Sequence, residues 1–183
     1  MGFHTYDAER ADALEDPGRY EYVSVDELLA LFDPEGEVAD LGSGTGFYTD
    51  DVVPYAGTVH AVDVQAEMHD FYREKGAPDN VRFVTAEVAD LPFADDVLDR
   101  AFSTMTYHEF ASPEALRELA RVVRPGGVVG IADWSAAGEG GAGPPRAERF
   151  AAAEAVAAFE DVGFTVERAE ERRETFVLRA VLG

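Results

Sequence analysis

A glycine turn, two aspartates and one histidine stand where this sequence could do chemistry. Asp40 closes a short apolar run and is followed by glycine at 42, 44 and 46. Gly42 and Gly44 let the backbone turn tightly and approach a ligand, because no Cβ stands in the way. Asp63 lies 21 positions after Gly42. At that spacing an acid is placed to accept hydrogen bonds from ribose hydroxyls. Such a turn holds its ligand at the carboxyl end of a strand, beside the amino end of a helix. Further on, Met105-Thr106-Tyr107-His108-Glu109-Phe110 follows the fourth expected strand, on the same ligand-facing side. His108 has a reference pKa near neutrality and is the best general-base candidate. Tyr107 and Glu109 are the weaker candidates. A histidine at a strand end also serves as a hydrogen-bonded structural residue, so both roles stand open for His108.

Composition excludes several classes. The chain has 183 residues, 46% of them hydrophobic, enough for one full α/β core. No apolar run approaches the length of a membrane span. Residues 1–7 carry neither a basic segment nor an apolar core, so a signal peptide is not expected and a cytoplasmic location is. Cysteine is absent, which removes disulfides, thiolate metal sites and cysteine nucleophiles; no metal is expected. Acidic residues number 37 against 15 basic ones, a net charge of −22. Such a surface repels phosphate backbones, so nucleic acid is not an expected partner. Lys75 is the only lysine. Acidic excess with lysine nearly eliminated resembles the proteins of salt-accumulating microbes, where dense counterions screen self-repulsion.

The elements that position these residues follow from periodicity and punctuation. Residues 1–23 are polar, acidic and aromatic, with a short helix over 7–14 ended by Asp16-Pro17-Gly18. Ser24-Val25-Asp26-Glu27 reads as a capping box: the Ser24 hydroxyl accepts from the amide of residue 27, and the Glu27 carboxylate reaches back. Val25, Leu28, Leu29 and Phe32 then give one apolar face. Strands are expected over 37–41, 58–62, 81–85, 100–104 and 128–132. A short helix starts near Gly46 and is cut by Pro54. A helix over 65–75 turns Met68, Phe71 and Tyr72 inward. Ser112-Pro113 opens another helix, serine as cap and proline in the first turn, with Leu116, Leu119, Ala120 and Val123 as its core stripe. Trp134 follows strand five at its ligand end. Residues 135–145, rich in glycine, alanine and proline, read as a flexible loop, either a lid or a connector. An alanine-rich helix over 146–161 and strands over 164–169 and 174–181 follow.

The dinucleotide fingerprint G-x-G-x-x-G needs glycine at 47, where Phe47 stands. The run Asp40-Leu41-Gly42-Ser43-Gly44-Thr45-Gly46 instead resembles motif I of the class I S-adenosylmethionine-dependent methyltransferases. Leu91-Pro92-Phe93, with an acid before it and an acidic turn after it, resembles a second motif of that family. Arg121-Val122-Val123-Arg124-Pro125-Gly126-Gly127 resembles a late one. With Asp63, these matches stand in order across residues 37–134, and the chain is similar to the broad type 11 group.

The resemblance implies an α/β fold, a three-layer Rossmann-like sandwich. Its seven-stranded sheet would be mostly parallel, with an antiparallel last strand. It implies one methyltransferase domain over 1–183, with residues 1–23 as a cap. It implies S-adenosyl-L-methionine as donor, S-adenosyl-L-homocysteine as product, and in-line methyl transfer to a small-molecule acceptor. The donor set so implied is Asp40, Gly42, Ser43, Gly44, Gly46, Phe47, Asp63, Val64, Met68, Glu87, Val88 and Thr104. Aligned on Leu91-Pro92-Phe93, the adenine-binding acid falls at Glu87, where the family more often has aspartate, and Asp90 is the alternative. The amide of Val88 would read the adenine ring nitrogen. Two other readings stand beside this one. The first is a non-catalytic donor-binding regulatory or partner subunit. The second is an NAD-dependent oxidoreductase, against which Phe47 and the Leu-Pro-Phe block count.

Overall fold

Apolar residues in the central strands alternate between two cores, so one sheet carries helices on both faces. Val38, Phe102, Val128 and Val177 join the first core; Ala39, Ala101, Val129 and Leu178 join the second. The computed structural model describes residues 8–183. Residues 1–7, and with them the expectation of no signal peptide and the expected helix start at Asp7, lie outside the described residues.

The strands are β1 (Glu37–Leu41), β2 (Thr58–Asp63), β3 (Val81–Thr85), β4 (Leu98–Thr104), β5 (Val123–Trp134), β6 (Phe164–Glu171) and β7 (Thr175–Leu182). They form a seven-stranded sheet in the order β3-β2-β1-β4-β5-β7-β6. Strands β1 to β5 pair in parallel, and β7 runs antiparallel to both its neighbours. This is the expected α/β sandwich. Helices α1 (Val25–Phe32), α2 (Thr49–Val52) and α3 (Ala66–Lys75) bring Leu28, Val52 and Tyr72 to the first core. Helices α4 (Tyr107–Phe110), α5 (Pro113–Val122) and α6 (Ala152–Glu160) bring Tyr107, Leu116 and Phe159 to the second. The strand order reverses between β1 and β4, the place where sheets of this kind bind ligands in a crevice at the carboxyl ends of their strands.

Several local expectations are corrected. The Ser24 hydroxyl does accept from the Glu27 amide, at 3.3 Å. The Glu27 carboxylate, however, pairs with the Arg172 guanidinium, a charged partner that outcompetes a backbone amide. On α3, Met68 and Tyr72 are buried as expected, but His69 joins them and Phe71 is 38% exposed. Phe71 instead lines a small recess with Ala11, Asp12, Glu15, Thr45 and Lys75. Helix α2 begins at Thr49 rather than near Gly46, because Gly46 is left-handed at φ +82°.

The amino-terminal helix is of the 3-10 type, over Ala8–Glu15. The expected helix over 146–161 is broken: a 3-10 turn, Arg146–Glu148, gives way to extended backbone at Arg149 before α6 begins. The cause is the Arg149 side chain, which is buried among carbonyls of the preceding loop and donates to Pro144 O at 2.8 Å and to Ala142 O. That loop is also bound from below. The Glu174 carboxylate accepts from the amides of Gly140 and Gly141 at 3.0 and 2.9 Å. Among the described residues, no helix is long and apolar enough to cross a membrane.

Candidate active site

The glycine turn and Asp63 are built as one unit. Strand β1 ends beside β2, and the amides of Gly42 and Ser43 donate to Val62 O at 2.8 and 2.9 Å. The Asp63 carboxylate then accepts from the Gly44 amide and the Gln65 amide, each at 2.9 Å. Gly42 has φ +81°, and a Cβ there would lie 2.3 Å from Thr106 Cγ2. The turn therefore packs directly against the exit of β4, and only glycine fits. Each Asp63 oxygen keeps a further lone pair for a ligand hydroxyl.

Asp40 lies beneath this turn, 1% exposed. Its Oδ2 accepts from Thr49 Oγ1 at 2.6 Å. Its Oδ1 and the Ser43 hydroxyl are buried with no partner among the described residues. Burial pushes the Asp40 carboxyl up to about 7; the Thr49 hydrogen bond and the charge of Arg19 oppose that rise, and Asp63 adds to it. A buried acceptor left unsatisfied is costly. A cationic ligand group placed there would remove the cost.

The other expected donor residues gather at the same strand ends. The Phe47 ring stands 4.8 Å from the ring of Tyr20 and 5.0 Å from the Arg19 guanidinium. Val64 is 46% exposed at the end of β2, while Met68 is buried behind it. The Ala86 amide donates to Asp63 O at 3.1 Å, which brings exposed Glu87 and buried Val88 to the β2 end. Asp90 closes a turn there by donating its amide to Glu87 O at 3.0 Å. Thr104 is buried at the end of β4. Ser103 Oγ donates to Leu41 O at 2.8 Å and ties β4 to β1 at the switch point.

On the far side of the crevice, Met105 takes the left-handed conformation at φ +57°. This is an uncommon backbone state for a residue with a side chain. It turns the chain out of β4, held by the Met105 amide donating to Ala132 O at 2.7 Å. Helix α4 then brings His108 onto Asp133, near the end of β5. Asp133 is fully buried. Its Oδ2 accepts from the His108 backbone amide at 2.7 Å, and both its oxygens lie 3.0 Å from Nδ1. An ionised carboxylate only accepts, so Nδ1 carries the ring hydrogen and Nε2 presents a lone pair. Burial works to lower the His108 pKa, but the Asp133 hydrogen bond and the charges of Asp133, Glu109 and Glu148 outweigh it and hold it above the usual value.

Glu109 is brought to the same side. Its Oε1 lies 3.9 Å from His108 Nε2. Burial holds its carboxyl up at about 7; His108 opposes this, while Asp63 and Asp133 reinforce it. Tyr107 goes elsewhere. It is buried in the second core among the rings of Phe110, Phe150, Phe159 and Phe176.

Asp133 is the residue that sequence reasoning passed over, drawn to its neighbour Trp134. Trp134 itself is enclosed, with the Tyr22 ring at 4.7 Å and the Arg149 guanidinium at 5.6 Å. The available signal for Asp133 was an acid near the end of an apolar strand, the position Asp63 holds in β2.

This crevice matches known proteins in sequence and shape. Residues 39–131 match the family described as a methyltransferase domain. A crystal structure of a S-adenosylmethionine-dependent methyltransferase from Aquifex aeolicus superposes with a TM-score of 0.86 at 30% identity, covering 98% of this chain and all of that one. A chain from the complex between the Haloferax volcanii Trm112 methyltransferase activator and a methyltransferase has the same fold, with a TM-score of 0.78 at 21% identity, covering 95% of this chain and 96% of that one. The malonyl-[acyl-carrier protein] O-methyltransferase of Pectobacterium atrosepticum is 37% identical over 112 residues, 60% of this chain and 44% of that protein. The matches span less than half the length of these curated relatives. The chain belongs to the S-adenosylmethionine-dependent methyltransferase family. Its residues fit the donor: an orphaned carboxylate oxygen under a glycine turn suits the donor's ammonium, and the acid ending β2 suits its ribose.

Proposed function

We propose that this methyltransferase acts on a small-molecule acceptor and that His108 is its general base. One observation carries the reading: Asp133 grips both the backbone and Nδ1 of His108, which leaves the Nε2 lone pair to take a proton. When bound, the donor supplies an electrophilic methyl group on a sulfonium, so the acceptor needs alignment and the loss of a proton rather than covalent help. Asp40 and Ser43 would meet the donor's amino-acid end, Asp63 its ribose, and Glu87 with the Val88 amide its adenine. Phe47, Val64, Met68 and Thr104 would shape the walls. His108 would take the acceptor's proton on Nε2, and Asp133 would stabilise the imidazolium so formed. A net charge of −22 favours a neutral or cationic small acceptor over nucleic acid.

Calorimetric titration in multimolar KCl tests the donor site. S-adenosylmethionine and S-adenosylhomocysteine should bind, and NAD should not. His108→Ala should bind both adenosyl ligands as the parent does and lose turnover in an acceptor screen. Turnover equal to the parent's would reject the role of His108.

A further inference from the structure

Two hydrogen-bond acceptors face each other beside the His108 ring. With Nδ1–H committed to Asp133, Nε2 offers a lone pair, and Glu109 Oε1 stands 3.9 Å from it. That separation is too long for a direct hydrogen bond. It is the right separation for one shared atom, since an atom about 2.8 Å from each acceptor fits between them. With Glu109 ionised, such an atom satisfies both only if it carries at least two hydrogens. A hydroxyl has one, and a carboxylate or an enolate has none. An amine has two, and an ammonium has three.

The charges around this gap point the same way. Asp133 lies behind the ring, Glu109 in front of it, and Asp63 and Glu148 near enough to act on the pair. Arg149, beside the end of β5, is committed to loop carbonyls and the Trp134 ring. An anionic acceptor would be repelled, and a cation entering the gap would draw Glu109 to its ionised form.

We propose that the acceptor is an amine, bound as its ammonium between His108 Nε2 and the Glu109 carboxylate. The proposal rests on the general-base assignment of His108 made above. Glu109 is then the residue that selects the acceptor. His108 Nε2 takes one proton and leaves a neutral amine, which keeps a second N–H donating to the Glu109 carboxylate. The amine's electron pair forms the N–C bond to the methyl as the C–S bond breaks, and sulfur keeps the pair of that bond. The positive charge of the sulfonium ends on the methylated ammonium, and the proton on Nε2 passes to solvent.

The test uses the whole chain labelled with ¹³C and ¹⁵N histidine, saturated with S-adenosylhomocysteine in high KCl. The chain has four histidines, so the His108 ring signals are assignable by comparison with His108→Gln. The expected resting tautomer has its hydrogen on Nδ1. Methylammonium, methanol and acetate are then titrated as the smallest acceptors of each class. Methylammonium should shift the Nε2 signal at concentrations about tenfold below those needed with methanol or acetate, as a charge-assisted pair requires. Glu109→Gln should abolish that preference, and Glu109→Asp should keep part of it. Methanol or acetate acting as well as methylammonium overturns the proposal. So does a silent Nε2 signal with methylammonium, or an unchanged preference in Glu109→Gln. A resting tautomer with hydrogen on Nε2 would instead remove the general base, and the amine proposal with it.

Discussion

Asp133 accepts the backbone amide of His108 at 2.7 Å while both its oxygens lie 3.0 Å from the same residue's Nδ1. One buried carboxylate thus fixes the position, ring orientation and tautomer of the imidazole. It also stabilises the protonated ring, which is why the His108 pKa sits above its usual 6.5 despite burial. A base acts in its deprotonated form. The rate should therefore rise with pH through a midpoint above that of a free histidine. In Asp133→Asn the midpoint should fall, and the plateau should drop by about 10²–10⁴, the usual worth of a positioned base. Donor affinity should stay within about twofold, because the donor side of the crevice is untouched. An unmoved midpoint in Asp133→Asn would show that Asp133 only holds up α4.

Asp40 gives a second pH signature. Its folded pKa is about 7 against an ordinary 3.8. Between those values the folded chain holds a proton that the unfolded chain has released. Asp40 therefore contributes stability that is full below its unfolded pKa and is lost as pH rises through the folded one. A ligand ammonium beside Oδ1 reverses the preference and expels the proton. Donor binding near pH 6 should then release a proton, seen as a dependence of the binding enthalpy on the ionisation enthalpy of the buffer. Asp40→Asn should remove that dependence and weaken donor binding. A buffer dependence identical to the parent's would place the proton elsewhere.

Local signals were legible and distant ones were not. Strands β1 to β4 are apolar runs bounded by glycine, proline and acids, and the glycine turn with Asp63 falls within one βαβ unit. Their geometry could be read because their partners are close in sequence. Asp133 and His108 are 25 residues apart, and Glu27 and Arg172 are 145 apart. No period or spacing connects such pairs; the sheet does, by placing the ends of β4 and β5 side by side. Tyr107 shows the converse. It neighbours His108 in sequence, but α4 turns successive residues to different sides, so Tyr107 enters the second core.

Glycine at 46 is required for two separable reasons. Its φ is +82°, and an added Cβ would lie 2.3 Å from the Tyr72 ring. Tyr72 cannot yield, because it is fully buried and its hydroxyl donates to Asp50 at 2.6 Å. Gly76 has φ +100° but no atom within 4 Å of its Cβ position. Gly76→Ala should thus cost only the left-handed strain, about 1–2 kcal/mol. Gly46→Ala should add overpacking of about 1–3 kcal/mol and weaken donor binding as well. Denaturant titration of the two variants measures the difference. Equal losses would mean that Tyr72 moves aside freely.

The charge balance sets the last expectation. Against a net charge of −22, cations are scarce, and the only lysine serves two acids. Lys75 Nζ lies 3.2 Å from Glu15 Oε1 and 2.9 Å from Asp50 Oδ2. It thereby joins the amino-terminal segment to α2. At about 0.1 M salt the screening length is about 10 Å, long enough for neighbouring carboxylates to repel; at about 1 M it is about 3 Å. The melting temperature should therefore climb steeply with KCl. Lys75→Gln should be destabilising at low salt, where Glu15 and Asp50 lose their shared cation, and nearly neutral at high salt, where counterions replace it. Melting curves of both proteins across a KCl series decide the matter. A parent curve flat in salt would mean that the acidic surface serves solubility alone. A Lys75→Gln penalty that persists at high salt would mean that the lysine acts through packing against the Tyr72 ring, 4.8 Å away, rather than through charge.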